Sequence, residues 1–367
     1  MINSVFILGA GASKEAGAPL MADFLDQAKD LWASSRVTNA NASFQDVFKA
    51  IGRLQPVHSK SEFDIYNVES VFAAMEMGKT LEKFPGCDTV EEIDNLIANM
   101  KVVIVKTIEN TLLFPLESDR AGGIQYKKVS EPPPYREFIK LIQYLRDEAR
   151  PSQKISVITF NYDLATDLAL IRERLGPDYC LSGAGSDVDI PLLKLHGSLN
   201  WIYCPDCGGV SAWNLGDYLT THKPSSRTAK VAPIEIGSHL NEYKSCSHGF
   251  KREPVIVPPT WNKADYHRTL SKVWSRAAKE LGEAENIFVV GYSLPNSDAF
   301  FRYLYALGSV SEHLLKRLWV FDPDKTGGVQ KRYRELLGPG ARDRFRYFSE
   351  TFALAITTIR REFSTQR

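Results

Sequence analysis

The chain lacks most features that mark a specialised environment. No apolar run approaches the roughly 20 residues of a membrane span. The run near its start, Val5-Phe6-Ile7-Leu8, is too short for a signal peptide and follows no basic segment. A cytoplasmic protein with no membrane partner is therefore expected. Five cysteines in 367 residues make no disulfide scaffold. Neither sign of charge is in excess: 45 Lys+Arg stand against 44 Asp+Glu, a net of +1. That balance argues against gripping nucleic acid by bulk charge, so nucleic acid is not expected as a direct substrate. There is no internal repeat and no long low-complexity tract, which excludes solenoids. What is present, 44% hydrophobic and 24% charged residues, describes a globular chain with a core large enough for an enzyme.

Strand and helix signals alternate. Asn3 to Leu8 reads as a buried strand, followed by a glycine turn and a helix from about Lys14 on the spacing of Phe24, Leu25 and Leu31. Glu69 to Leu113 reads as helices, Arg120 to Pro134 as a loop around Gly122-Gly123 and Pro132-Pro133-Pro134, and Tyr135 to Leu145 as a helix. Strands are expected at Ile155–Phe160, Pro191–Leu195, Val255–Val257, Ile287–Val290 and Leu318–Phe321. Helices are expected at Asp163–Leu175, His267–Leu281, Ser297–Leu307 and Phe352–Arg361. The Arg-rich stretch Arg332 to Arg346, interrupted by Glu335 and Asp343, reads as a solvated helix face.

The fold class is α/β: a Rossmann-like, mostly parallel sheet with helices on both faces, a helical insertion and a small zinc-ribbon-like module. The expected division is a core of residues 1–59, 135–202 and 251–349, a helical insertion at 60–134, a Cys/His module at 203–250 and a C-terminal helix in 350–367.

Ligands in such sheets sit at the carboxyl ends of the strands, and the chemistry-bearing motifs follow strands. Gly9-Ala10-Gly11-Ala12-Ser13, with Pro19 beyond, can admit a pyrophosphate to a helix N-terminus, or can be a tight turn with a capping serine. Asn161 and Asp163 can hold ribose hydroxyls and an amide, or can cap the next helix. His196, directly before Gly197, stands where a general base would be displayed. Gly291 and Ser293, then Asp322, end two later strands and suit phosphate or ribose contacts. Cys204-x-x-Cys207 with Cys246-x-His248 has the layout of a structural zinc site. His239 or His222 can substitute for His248, and reduced thiols or a redox pair are the alternatives. Cys87 and Cys180 read as buried fillers.

In this order, Gly9 to Ser13, Asn161/Asp163, His196-Gly197, Cys204 to His248 and Gly291/Ser293 resemble the sirtuin family over residues 3 to about 325. The segments Thr159–Asp163, Leu195–Trp201, Pro258–Trp261 and Gly291–Pro295 look most like the divergent prokaryotic sirtuin-like group. Several members of that group hydrolyse NAD and act as effectors in anti-phage defence. The resemblance implies NAD as substrate and cleavage of its nicotinamide–ribose bond. It places Asn161 at the ribose or the water, Asp163 at the carboxamide and His196 as base. Gly9, Ala10, Gly11, Ala12, Ser13 and Pro19 fall at the pyrophosphate side, and Gly291, Ser293 and Asp322 at the adenosine side.

Two departures separate the chain from typical protein deacylases. Ala18-Pro19-Leu20-Met21 stands where they carry P-D-F-R. Val257-Pro258-Pro259-Thr260 has adjacent prolines where they pair with an acyl-lysine peptide. The expected activity is thus NAD glycohydrolase, with NAD-dependent deacylase and a non-catalytic NAD or ADP-ribose sensor as alternatives. The expected partners are a second copy of the chain, a partner defence protein or a phage-derived activator. Restraint of such an activity is expected from oligomer contacts, from the helical insertion at about 60–134 closing over the pocket, or from a partner protein.

Overall fold

The short apolar runs form strands, and their parallel stacking explains why they are apolar almost throughout: both faces of the sheet are covered. The computed structural model describes every residue except 1, 59, 62, 122–123, 183–189, 225–227, 245, 247, 249–253, 258–268, 296–297, 309–313 and 365–367. In chain order its strands are β1 (Ile2–Leu8), β2 (Phe114–Ala121), β3 (Ile124–Val129), β4 (Gln153–Thr159), β5 (Pro177–Asp178), β6 (Ile190–Lys194) and β7 (Gly197–Tyr203). They continue with β8 (Val210–Ala212), β9 (Val231–Ala232), β10 (Pro254–Ile256), β11 (Asn286–Val290), β12 (Arg317–Phe321) and β13 (Phe345–Phe348).

Seven of them build the main sheet in the order β13-β12-β11-β1-β4-β6-β5, and every neighbouring pair is parallel. Without the two-residue β5, this is the doubly wound dinucleotide-fold order. The chain winds outward from β1 through β4 and β6, then returns to β11 on the other side of β1. The switch point lies between the ends of β1 and β11.

Side-chain alternation sorts the core into two layers. From β1, Phe6 and Leu8 enter the layer under the helices Pro133–Gln143 and Phe352–Ser364, while Val5 and Ile7 enter the layer under Ser271–Glu283, Ala299–Gly308 and Gly328–Leu336. The first layer continues into a helical block made of Asn41–Arg53, Val68–Thr80 and Val90–Thr111. The last of these starts with a reciprocal capping box between Thr89 and Glu92.

Several expectations need correction. The helix expected from about Lys14 starts earlier, as the short helix Ala10–Lys14, and stops. Gly17, at φ +100°, and Pro19 interrupt it, and Phe24–Ala33 forms a separate helix. The expected loop at Arg120–Pro134 is largely an antiparallel hairpin of β2 and β3, whose register sets Glu117 opposite Lys128. Gly122 and Gly123 lie outside the described residues. Arg332 to Arg346 is not one solvated face: it contains part of the helix Gly328–Leu336 and the start of β13, the edge strand of the main sheet. β7, which carried no strand signal, pairs with β10 and β8 in a small antiparallel sheet. The start of the helix expected at His267 lies outside the described residues, and its remainder is Ser271–Glu283. Among the described residues no helix is long and apolar enough to cross a membrane.

Candidate active site

The carboxyl ends of β1, β4, β6, β11 and β12 surround a cleft of about 440 Å³, in the size range of small-molecule sites. Asn161, Asp163, His196, Ala10, Gly11, Ser13, Pro19, Gly291, Ser293 and Asp322 all line it. Gly9 and the buried Ala12 do not, although they belong to the same turn.

Gly9 and Gly11 are held to glycine by close packing at the switch point. A Cβ on Gly9 would stand 2.5 Å from the Gly291 carbonyl oxygen, and one on Gly11 would stand 2.7 Å from Gly291 Cα. Gly291, at φ +61°, makes the approach mutual. The Gly11 amide donates to Gly291 O at 2.9 Å and the Ala12 amide to Gly9 O at 3.0 Å. With the Gly9 amide donating to Val290 O at 3.0 Å, three of the turn's backbone donors are used within the protein.

Ser13 is the hub of one wall. It is 1% exposed. Its Oγ donates to Asp163 Oδ2 at 2.6 Å, accepts from Asn161 Nδ2 at 2.9 Å and lies 2.6 Å from the Tyr135 hydroxyl. A hydroxyl has one proton and two lone pairs, so the Tyr135 hydroxyl must donate and the Ser13 oxygen is saturated. Asn161 Nδ2 also donates to Gly9 O at 2.9 Å. A carbonyl only accepts, which fixes the orientation of the Asn161 amide and leaves Oδ1 as the acceptor it offers the cleft.

Asp163 accepts from Ser13 on one oxygen and from the Ala165 amide on the other at 3.0 Å. Burial pushes its carboxyl above the ordinary range, and the nearby Lys194 ammonium opposes this. Lys194, 1% exposed, donates to Asp163 O at 2.6 Å and pairs with the buried Asp167 at 3.0 Å. Asp167 in turn accepts from Tyr179 OH at 2.5 Å.

His196 ends β6. Gly197 follows at φ +84°, and a Cβ there would lie 1.9 Å from Val255 O. Glycine is required because β10 crosses at this point. The Val257 amide donates to His196 O at 2.8 Å and Tyr162 OH to Val257 O at 2.5 Å, which anchors the histidine backbone. His196 Nε2 lies 3.5 Å from Asp298 Oδ1, and Tyr292 OH donates to Asp298 Oδ2 at 2.9 Å. Phe160 stacks on Tyr292 at 4.1 Å and meets His196 edge-on at 5.0 Å.

Sequence reasoning missed Asp298, which reads as one more carboxylate ahead of a helix. It also missed Tyr135, Lys194 and Asp167, whose roles depend on distant partners. Glu69 and Ile108, from the helical block, line the same cleft. In the stretch Ala18 to Met21, Leu20 N donates to Asp23 Oδ1 at 2.6 Å and Asp23 pairs with Lys14. Pro258, Pro259, Thr260 and Trp261 lie outside the described residues.

Cys204, Cys207, Cys246 and His248 come together, with one ligand atom from each within 4.8 Å of the others. Cys204 Sγ is 3.6 Å from Cys246 Sγ and 3.5 Å from His248 Nδ1. Thiolates about 2.3 Å from one zinc ion in a tetrahedron would be roughly 3.7 Å apart, so the donor set fits zinc. Cys204 N donates to Gly209 O and Gly208 N to Cys204 O, and Gly208 sits at φ +66°, which folds the Cys204–Cys207 turn into a knuckle. His222 and His239 are not alternative ligands here: they form a separate group with Glu242.

No protein-family profile matches the chain, and no curated protein matches it. The chain is similar to solved sirtuin structures. One, of Sir2Tm bound to a propionylated peptide, is 12% identical with a TM-score of 0.37, covering 99% of this chain and 93% of that one. A Sir2–p53 peptide–NAD+ structure is 12% identical with a TM-score of 0.37, covering 99% of this chain and 94% of the other. A Sir2 complex with an inhibitor, 2′-O-acetyl-ADP-ribose and a deacetylated peptide is 11% identical with a TM-score of 0.36, covering 99% and 94%.

Proposed function

We propose that the chain is an NAD glycohydrolase. The observation that carries this reading is the convergence of Asn161, His196 and Asp298 on one cleft at the switch point of a doubly wound sheet. The order of motifs along the chain supports NAD as the substrate. In this reading the pyrophosphate lies across Ala10 and Gly11, whose side chains are a methyl group and a hydrogen. The adenosine side meets Ser293 and Asp322, and the nicotinamide ribose faces Asn161.

The reaction consumes NAD and water. The bond from the ribose anomeric carbon to nicotinamide breaks, and its electron pair returns to the pyridinium ring, which leaves as neutral nicotinamide. Positive charge builds on the ribose ring, as in glycoside hydrolysis. Asn161 Oδ1 accepts from the incoming water or a ribose hydroxyl. As the water oxygen bonds to the anomeric carbon, His196 takes its proton and later releases it to solvent, giving ADP-ribose. Asp298 stabilises the imidazolium. Asp163 and Ser13 hold the Asn161 amide in orientation, and a contact from Asp163 to the carboxamide would use a remaining lone pair. Zinc, when bound at Cys204, Cys207, Cys246 and His248, supplies a structural cross-link with no open position. A role as an effector in anti-phage defence follows from the same reading.

The test is nicotinamide release from NAD by the purified chain, with and without an acyl-lysine peptide. Release from NAD alone supports the hydrolase. Release only with peptide, with acyl-ADP-ribose as product, identifies a deacylase. NAD binding without release in either arm identifies a sensor.

A further inference from the structure

We propose that His222, His239 and Glu242 form a second divalent-cation site, separate from the cysteine-containing set and of a different donor class. One ligand atom from each lies within 4.8 Å of the others. His222 Nε2 is 3.0 Å from Glu242 Oε2, and the two imidazole rings face each other at 4.7 Å with a 31° tilt. Two imidazoles and one carboxylate are a borderline donor set suited to Zn²⁺ and its neighbours, whereas the cysteine site is thiolate-rich.

The surrounding contacts are those of ligands held in place. His222 Nδ1 lies 2.9 Å from Thr221 Oγ1, and His239 Nδ1 lies 2.9 Å from Tyr218 OH. Each ring thus has one nitrogen engaged by a hydroxyl, which fixes the ring and leaves Nε2 as the ligating atom, the usual arrangement around metal-bound histidine. Tyr218 stacks on His222 at 4.3 Å, so the ring is held from its face as well.

The segment carrying the other two ligands is also anchored. Glu109, buried in the helix Val90–Thr111, accepts from both the amide and the hydroxyl of Ser238, beside His239. Lys106 reaches Glu109 at 4.0 Å and Glu235 at 3.8 Å. Burial holds the Glu109 carboxyl up to about 7.

A His222–Glu242 ion pair alone would account for two of the three residues. A shared cation engages all three, the second imidazole included. A bound ion would join the end of the helix Leu215–Thr221 to the segment Ile236–Glu242, clamping the region between them onto the long helix.

The test uses the full chain, stripped with a chelator and titrated with Zn²⁺ and with Co²⁺. The expected stoichiometry is two Zn²⁺ per chain, and Co²⁺ should give thiolate charge-transfer bands together with ligand-field bands that involve no sulfur. His222→Gln/Glu242→Gln should lose one equivalent and keep the thiolate bands. Glu242 is exposed, so Glu242→Gln alone should fold and should weaken one equivalent at least tenfold. The proposal is overturned if all metal in the wild type is thiolate-bound. It is also overturned if Glu242→Gln binds two equivalents with unchanged affinity.

Discussion

The two walls of the cleft are built on opposite plans. On the β1–β4–β6 side, side chains are spent on one another: Tyr135, Ser13, Asn161, Asp163, Lys194 and Asp167 form one buried chain of hydrogen bonds. On the β11–β12 side, backbone carbonyls take the donors. Tyr333 OH donates to Tyr292 O, Arg332 Nε to Ser293 O and Tyr347 OH to Asp322 O. The side chains of Ser293 and Asp322 line the cleft on that second wall. The first wall is thus organised before any ligand arrives, as a reacting centre requires, and the second presents groups suited to holding a ligand. His196 and Asp298 are where the walls meet.

The most disruptive change to this contrast is Lys194→Met. It strands Asp167 without its cation in the interior and removes the donor from Asp163 O. The expected cost is about 3–5 kcal/mol of unfolding free energy, read by denaturant titration. Lys194→Met/Asp167→Leu should recover much of it, whereas equal losses in both variants would mean that the pair does not organise the wall.

Next in size, Asn161→Ala and His196→Ala should each lower kcat for nicotinamide release by about 10²–10⁴-fold with thermal stability retained. Asp298→Asn, at the join, should cost about 10–100-fold in kcat with little change in KM, because it removes the imidazolium's partner and leaves the ligand contacts intact. The smallest effect belongs to the second wall. Asp322→Asn should raise KM for NAD by about tenfold or less and spare kcat, as loss of one ground-state contact would. If Asp322→Asn instead lowers kcat as much as Asn161→Ala does, the division of labour between the walls fails.

The same contrast governs what could be read in the sequence. The strands β1, β4, β11 and β12 were legible because a strand buried on both faces must be apolar along its length. β7 was not, since Gly-Ser-Leu-Asn-Trp-Ile-Tyr mixes in polar groups. Ser198 and Asn200 tolerate complete burial only because Ser198 Oγ donates to Asn200 Oδ1, and Asn200 Nδ2 to Trp213 O. The β2–β3 hairpin was hidden because its strands carry charged residues where apolar strand formers are looked for, with Glu117 set opposite Lys128.

The candidate residues were legible as motifs after strands, but their division of work was not. Ser13 looked like a phosphate ligand or a cap, and its hydroxyl is saturated by three residues, all of them more than a hundred positions away.

By itself, then, the sequence determined the α/β class, the placement of the candidate residues at strand ends and the thiol-rich donor set, because burial and strand-end turns leave local patterns. Tertiary structure alone decided which donors are consumed, which carboxylate meets His196 and which histidines leave the cysteine site. Each of those outcomes is a contact between segments far apart in the chain, and no local spacing encodes it.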